Sequence, residues 1–428
     1  MEKKNADKIE KTEKSKVKEQ KKISPVKWIG DKAYQIKAAM TQEATNDLDN
    51  YKLRKRRRKY RRRLAGFLVV LIVLILAGVT KYVMDHHTYS EYKVESVSEK
   101  RDAGVFQFEE MGGKVLRYSS DGAMLASTAE ETIWTDAYQM SQPVAEISGS
   151  VAVIYDLKGT QVVVYNSNGK MGTFQTEYPI MKASVSAKGE VAAILENGEV
   201  TLINYYTSSG SKIATSSSNM RNPGYPVDLA VSEDGLTVAV TYFVTDEDTI
   251  SSYLAFYNFG DAGKKKEDNL LAGYRIAGVL VPAVEYLDND TLIAYREDGF
   301  SVYEGSREPK ETENITFEED IVSSFGNDKY IGFVFRNSNS ENMFSMKVYN
   351  ISGKLKMETE FDILYENIKF SGNQIIINNS TQMAVYNLKG IEKFNGNIEE
   401  GNIFEVVKVG KTRYTVAYNG GIMTIKLK

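Results

Sequence analysis

Histidine and cysteine, the side chains most often used in nucleophilic and metal-dependent catalysis, are almost missing from this chain. Its 428 residues contain no cysteine and two histidines, His86 and His87. A Ser-His-Asp triad or a histidine-ligated metal therefore cannot form within the long stretch that follows residue 87. Disulfides and thiolate chemistry are excluded as well. We predict a non-enzymatic protein with no catalytic, cofactor-binding or metal-binding residue.

Carboxylates and tyrosines leave one enzymatic alternative open, a hydrolase of an envelope polymer that uses a tyrosine nucleophile with acidic partners. Against it, the segment 232–235 (SEDG) lacks the Thr-Trp end of an aspartate box. The acidic turns 246–248 and 288–290 have ligands that suit calcium but not the spacing of a calcium loop. A quinone cofactor is not expected, because Trp134 is the only tryptophan after residue 28 and is predicted to lie in the last strand of the first repeat.

Tyrosine is abundant, with 27 residues. Most of them suit half-buried strands, where an amphipathic ring packs well. Tyr178, Tyr225 and Tyr274 are predicted to lie in loops. Because tyrosine is favoured at interfaces, these three are the candidate recognition residues.

Charge is divided unevenly along the chain. Residues 1–63 carry 22 Lys/Arg against 9 Asp/Glu, whereas the remaining residues carry 32 against 48. Parts of such opposite charge are expected to face different environments. The acidic C-terminal part disfavours nucleic acid as a partner.

An apolar run of sixteen uncharged residues, 64–79 (LAGFLVVLIVLILAGV), follows the basic part. Residues 80–84 extend it, since Lys81 can snorkel and Tyr82 suits the interface, to the roughly 20 residues that cross a bilayer. We predict an uncleaved transmembrane helix at 64–84 that anchors the protein in membrane lipid. A signal peptide would need an unusually long basic region before it and a small-residue cleavage site after it.

The basic residues before this run predict the orientation, because they resist translocation. They are Arg54, Lys55, Arg56, Arg57, Arg58, Lys59, Arg61, Arg62 and Arg63. The N-terminus is expected in the cytoplasm and the C-terminal part outside the cell membrane. Nucleic-acid binding or contact with anionic lipid head groups would explain the same run less completely. The tail, residues 1–63, is predicted to be largely disordered, with a helical tendency over about 31–60 that continues into the span.

The remainder of the chain repeats. Short β-branched and aromatic runs alternate with turn dipeptides that end in glycine, such as Asn197-Gly198 and Asp234-Gly235. Four-stranded units are predicted to start near residues 103, 144, 182, 226, 281, 320, 364 and 402. Units of about 40 residues predict an all-β fold, a β-propeller of eight four-stranded blades over 103–428, with seven blades as the alternative. A pair of β-sandwiches is the competing architecture.

The last unit ends one strand short. A strand within 89–97, in the juxtamembrane linker 85–102, is predicted to supply the missing strand and to close the ring, which removes the free sheet edges. The repeat, with its VxVYNxxGK pattern, resembles WD40-like and quinoprotein-like propellers. The layout of basic tail, span and propeller resembles an uncharacterised family of single-span, membrane-anchored propellers of Gram-positive, clostridia-like bacteria. That resemblance implies location and fold, and no activity.

We therefore expect a membrane-tethered propeller that acts as a binding or scaffold module for an envelope protein or glycan outside the cell. The hydrolase is one alternative. A transmembrane sensor, whose tail reports binding to the cytoplasm, is the other.

Overall fold

The structure, a computed structural model, describes residues 32–33, 47–98, 105–218, 223–246, 249–338 and 340–428. Most of the tail predicted to be disordered lies outside these ranges. The chain divides into two compact units, Met1–Met84 and Asp85–Lys428.

A single long helix, α1 (Asp47–His86), contains the apolar run. The run contains no proline, and its leucines and alanines are strong helix formers. The part Leu53–His86 is long and apolar enough to cross a membrane. The apolar stretch of this helix is entirely exposed. The helix also includes the basic residues, so the predicted continuation of helix from the tail into the span is confirmed for residues 47–63.

The described residues after α1 form eight four-stranded antiparallel sheets, the blades of a β-propeller. The first four consist of β2 (Gln107–Met111), β3 (Lys114–Ser119), β4 (Gly122–Ala126) and β5 (Thr132–Ala137); β6 (Pro143–Ser148), β7 (Val151–Asp156), β8 (Gln161–Asn166) and β9 (Gly169–Gln175); β10 (Ile180–Val185), β11 (Val191–Asn197), β12 (Val200–Tyr206) and β13 (Lys212–Ser218); and β14 (Tyr225–Val231), β15 (Thr237–Asp246), β16 (Thr249–Asn258) and β17 (Leu270–Ala277).

Blades 5 to 8 continue in the same order. They consist of β18 (Ala283–Tyr286), β19 (Thr291–Arg296), β20 (Gly299–Glu304) and β21 (Lys310–Thr316); β22 (Ile321–Gly326), β23 (Tyr330–Arg336), β24 (Phe344–Asn350) and β25 (Leu355–Phe361); β26 (Asn367–Ser371), β27 (Gln374–Asn378), β28 (Gln382–Asn387) and β29 (Glu392–Asn397); and β30 (Ile403–Lys408), β31 (Arg413–Tyr418) and β32 (Gly421–Leu427), completed by β1 (Tyr92–Val97). The eight-bladed prediction is confirmed, and each observed blade starts within four residues of its predicted position.

Ring closure uses β1, the first strand of the compact unit Asp85–Lys428, as predicted. β1 pairs antiparallel with β32, from Tyr92 opposite Leu427 to Val97 opposite Met423. Blade 8 is thus assembled from both ends of the propeller sequence. β1 becomes its outermost strand and covers the edge that β32 would otherwise leave unpaired.

The core lies between blades, where side chains from neighbouring sheets meet. Trp134, in the fourth strand of blade 1 as predicted, stacks on Tyr165 of blade 2 at 4.7 Å between ring centroids. Its indole N–H donates to the backbone oxygen of Asn166. Tight turns keep the connections between consecutive strands short. Gly198, between β11 and β12, has a φ of 63°, a conformation that is strained for a residue with a side chain.

Candidate binding site in the central channel

The first strands of the blades surround the propeller axis, and most of them carry a charged residue near the middle. The residues are Glu109, Glu146, Lys182, Asp228, Glu285, Lys369 and Glu405 from blades 1 to 5, 7 and 8. With Glu110, the neighbour of Glu109, they form what we call the charged belt. In blade 6 this part of β22 carries Ser323 instead, whose hydroxyl is hydrogen-bonded to that of Tyr365.

All residues of the charged belt except Glu405 line a cavity of about 690 Å³. The turns between the first and second strands of several blades form its mouth, among them Gly112-Gly113, Ser148-Gly149 and the segment 326–328. The small residues in these turns keep the mouth open, so the belt is accessible from this face of the propeller.

Lys182 lies between two carboxylates from the blades on either side. Its Nζ is 2.9 Å from Glu146 Oε1 and 3.3 Å from Asp228 Oδ1. Burial lowers the pKa of Lys182, but the two carboxylates outweigh it and hold the pKa above the usual value. Asp228 is 7% exposed, and its second oxygen accepts the N–H of Val284 in blade 5. Burial nevertheless raises the pKa of Asp228 and of Glu146.

Lys369 repeats the arrangement across blades 7, 8 and 1. Its Nζ is 3.0 Å from Glu110 Oε2 and donates to Glu405 Oε1. The side chain of Glu405 is 7% exposed, and burial raises its pKa despite the lysine. The two carboxylates together raise the pKa of Lys369 against the opposing effect of burial. Two carboxylate–lysine–carboxylate groups therefore join blades around the axis.

Two further carboxylates of the belt form no direct ion pair with a lysine in the described structure. Glu285 accepts a hydrogen bond of 2.7 Å from the hydroxyl of Tyr295, and burial raises its pKa. Space for this pair depends on Gly326, where a Cβ would lie 2.4 Å from the Tyr295 hydroxyl. Glu109 is exposed to the channel but has many protein atoms around it, and this desolvation, with the nearby Glu405, raises its pKa to about 7.

The belt as a whole is acidic. Its described residues are six carboxylates and two lysines; Lys408, at the end of β30, donates to Asn373 instead. A mixed but net negative cavity attracts cationic groups and offers them carboxylate acceptors. Among the described residues, no three acidic or histidine side chains converge as a metal site.

The candidate recognition residues lie elsewhere. Tyr178 is half-buried in the connection between blades 2 and 3, and Tyr225, 40% exposed, begins β14. The loop prediction is wrong for Tyr225 and for Tyr274, which both lie in strands. Tyr274, in β17, packs between Phe256 and Tyr303 and donates its hydroxyl to the backbone oxygen of Pro309. The structure does not bring these three together with the belt.

The acidic turn at Asp288 has a structural use. Its Oδ1 accepts the backbone N–H groups of Asp290 and Thr291, at 2.8 and 2.7 Å, which stabilises the turn between β18 and β19. Of the other acidic turn, residues 247 and 248 lie outside the described residues.

The sequence contained a signal for the belt that our sequence reasoning missed. In each repeat except the sixth, an acidic residue or lysine interrupts the apolar residues of the first strand, as in VAEI, MKAS, VDLA, VEY, IKF and FEV. A strand near a propeller axis is surrounded by protein, so a charge repeated there needs partners. Aligning the repeats on this position would have predicted a charged channel.

Solved structures with a propeller fold are similar to this chain at low sequence identity. The Neurospora crassa Pan2 WD40 domain is 12% identical, with a TM-score of 0.41, over 67% of this chain and 88% of that one. Kluyveromyces lactis Hsv2 is 7% identical, with a TM-score of 0.45, over 69% and 98%. Chaetomium thermophilum Sqt1 is 12% identical, with a TM-score of 0.48, over 80% and 98%. These similarities concern the fold, and no function is transferred from them.

Curated proteins give no sequence match to the chain. A family profile does match, over residues 85–427, which covers the closing strand β1 and all eight blades. The chain therefore belongs to a family of unknown function (DUF5711).

Proposed function

We propose that the protein is a non-catalytic, membrane-tethered propeller that serves as a binding or scaffold module for an envelope protein or glycan outside the cell. α1 is the tether. The ten basic residues among 52–63, directly before the apolar run, favour a cytoplasmic N-terminus. The propeller is then on the other side, as in the clostridia-like proteins that the layout resembles.

The charged belt is the observation that carries the binding role. Each of its lysines already lies between two carboxylates, while Glu109 and Glu285 form no direct ion pair with a lysine in the described structure. A basic group of a partner, such as a lysine or arginine side chain, would find free acceptors in the channel. The negative potential of the channel would also speed the encounter with such a partner.

Residues 85–89, at the start of the propeller unit, are held against blade 7. The Asn387 amide donates to the backbone oxygen of Asp85 at 3.0 Å, and the Asp85 carboxylate is 2.7 Å from Lys389 Nζ. The N–H of Tyr89 donates to the backbone oxygen of Lys393 at 2.7 Å. The chain therefore contacts blade 7 before it enters β1.

Topology is tested by adding protease to intact cells, or to protoplasts where a wall blocks access. We expect the propeller to be digested while an epitope on the N-terminal tail stays protected. Digestion of the tail with protection of the propeller would overturn the proposed orientation.

The partner is tested by site-specific photo-cross-linking in the same cells. A photoreactive residue at Asp328, in the mouth of the cavity, is expected to capture a partner, whereas one at Lys310, on the outer strand β21, is not. Capture from position 328 should disappear in the charge-reversal variant Glu109→Lys at unchanged protein level. Equal capture from both positions, or capture that survives the charge reversal, would contradict binding at the channel.

A further inference from the structure

A second cavity, of about 260 Å³, lies between blades 3 and 4, apart from the channel. Its walls come from β12 and β13 of blade 3 and from β15 and β16 of blade 4. The connection 259–269, between β16 and β17, completes it at one side. Nothing proposed for the charged belt involves this pocket.

The pocket exists because blade 3 lacks a side chain that blades 1, 2 and 4 to 7 have. In blades 1 to 7 a bulge shifts the register between the third and fourth strands. Two residues of the fourth strand face the next blade, the first residue that is paired after the bulge and the residue two positions later. These two positions are equivalent in all seven blades. One or both of these positions hold a larger side chain in the other six blades: Trp134, Phe174, Tyr274, Ile315 with Glu313, Met357 and Phe394.

In blade 3 these positions are Ala214, opposite Tyr205, and Ser216, opposite Ile203. Phe174, at the position equivalent to Ser216, packs on Tyr206 of the next blade at 5.0 Å between ring centroids. The cavity is therefore the space that a ring occupies in neighbouring blades. Filling it with protein would need only a larger residue, and the sequence instead has an alanine and a serine at these positions.

The two sides of the pocket differ in chemistry. On one side, Tyr205 stacks on the half-buried Phe259 at 4.8 Å between ring centroids. On the other, Ser216, which faces blade 4, presents a hydroxyl group. Asp268 and Asn269 add a carboxylate and an amide at the edge, so hydrogen-bonding groups and an aromatic wall meet in one cavity.

The backbone holds these edge groups in an uncommon conformation. Asp268 and Asn269 are consecutive non-glycine residues with left-handed φ angles of 52° and 58°. The Asn258 side-chain oxygen fixes the other end of the connection by accepting the N–H groups of Gly260 and Gly263, at 3.0 and 3.1 Å. Two adjacent strained residues persist only where the surrounding structure holds them, and such strain is concentrated at binding sites.

We propose that this pocket binds one neutral pyranose ring, a single sugar residue or the end of a glycan. An apolar cavity of about 150 Å³ accommodates a bare benzene ring. This cavity is larger, as a ring with hydroxyl substituents requires, and it offers both a ring-sized apolar wall and polar partners. A purely aromatic ligand would leave the Asp268 carboxylate and the Ser216 hydroxyl without partners, which disfavours it.

The test uses the full-length protein in a zwitterionic detergent without a sugar head group. Saturation-transfer NMR titrations are run with methyl β-glucopyranoside, methyl β-galactopyranoside and N-acetylglucosamine, and with benzyl alcohol as the aromatic comparison. We expect at least one pyranoside to bind with a dissociation constant on the order of 1 mM, as suits a ligand of this size.

Three variants assign the binding to this pocket. Ser216→Phe, which places the ring of Phe174 at the equivalent position, is expected to abolish saturation transfer while the melting temperature is retained. Asp268→Asn is expected to weaken binding by about tenfold, because a charge-assisted hydrogen bond is lost. Asp261→Asn, on the same connection but outside the pocket, is the matched control and should bind as the unmodified protein does.

Binding of benzyl alcohol alone, or the absence of transfer from all three pyranosides, would overturn the proposal. Pyranoside binding that is equal in Asp268→Asn and Asp261→Asn would overturn it too, and this comparison remains decisive if Ser216→Phe does not fold. Loss of partner capture at the channel would leave these results unaffected, so the two proposals fail separately.

Discussion

Replacing Lys369 with methionine is expected to destabilise the propeller strongly at neutral pH and only slightly in mild acid. Lys369 is the cation between Glu110 and Glu405. At the 3.0 Å separation from Glu110, one such attraction amounts to about 5 kcal/mol at an effective dielectric constant of about 20. Part of this is offset because the buried ammonium no longer has to be desolvated.

Protonation of Glu405 sets an upper limit on the free energy of unfolding that the Lys369→Met variant loses. Without Lys369, Glu405, with a side chain only 7% exposed, can become neutral instead of remaining a buried, unpaired charge. Protonating a carboxyl group of unperturbed pKa about 4.3 costs about 3.7 kcal/mol at pH 7 and about 1 kcal/mol at pH 5. We therefore expect the variant to lose about 3 kcal/mol of unfolding free energy at pH 7, and about 1 kcal/mol at pH 5.

The sign of this pH dependence follows from the direction of the pKa shift. In the folded variant the pKa of Glu405 is above its unfolded value, so stability is lost as pH rises from about 4.3 towards that raised pKa. Lys369 itself stays charged across this range in the unmodified protein, because the pKa of Lys369 is raised from an already basic value.

The assay is chemical denaturation at pH 5 and pH 7, followed by the fluorescence of Trp134 at the interface of blades 1 and 2. Lys329→Met is the matched control: Lys329 is 70% exposed and paired with the exposed Asp328, and its loss should change stability by less than about 0.5 kcal/mol. An equal loss at both pH values for Lys369→Met, or a loss at pH 7 no larger than that of the control, would refute the reasoning.

Two further predictions concern the channel and the closing strand. Because burial raises the pKa of Glu109 to about 7, ionisation destabilises the folded state as pH rises from about 4.5 to 7. Glu109→Gln should therefore melt at a higher temperature than the unmodified protein at pH 8 and at the same temperature near pH 4; a difference that does not depend on pH would contradict this. Val94, on β1, packs half-buried against the core of blade 8, so Val94→Asp should cost about 2 kcal/mol in a denaturation experiment. Arg413→Ala removes only the exposed ion pair to Glu95 on the same strand, and should cost less than about 1 kcal/mol. The reverse order of these two variants would show that β1 is held by its charges and not by packing.

The repeat determined most of the fold from sequence. Turn dipeptides ending in glycine and runs of β-branched and aromatic residues occur at a spacing of about 40 residues, and each such unit can bury its faces only against its neighbours. The ring closure by β1 followed from counting strands, because a unit that is one strand short leaves a free edge that the chain must cover. The long apolar helix could also be predicted from the sequence, since no residue in 64–79 has a polar side chain that favours contact with water.

The binding features were decided by tertiary structure. The repeat of about 40 residues predicts that Lys182 and Lys369 lie in the first strands of their blades. It does not predict which carboxylates they contact, because these carboxylates come from other blades: Glu146, Asp228, Glu110 and Glu405. The inter-blade pocket could not be predicted either. Its origin is visible only once the bulges align the fourth strands and show that Ala214 and Ser216 stand where a larger side chain usually packs.

The sequence by itself thus determined which segments are strands, how many blades they form and where the chain is apolar, because these depend on local patterns and on a repeated spacing. Tertiary structure decided which charges meet at the axis and where a cavity remains. Those outcomes depend on contacts between residues that are distant in the chain, such as Lys369 and Glu110, and on how completely two neighbouring sheets fill the space between them.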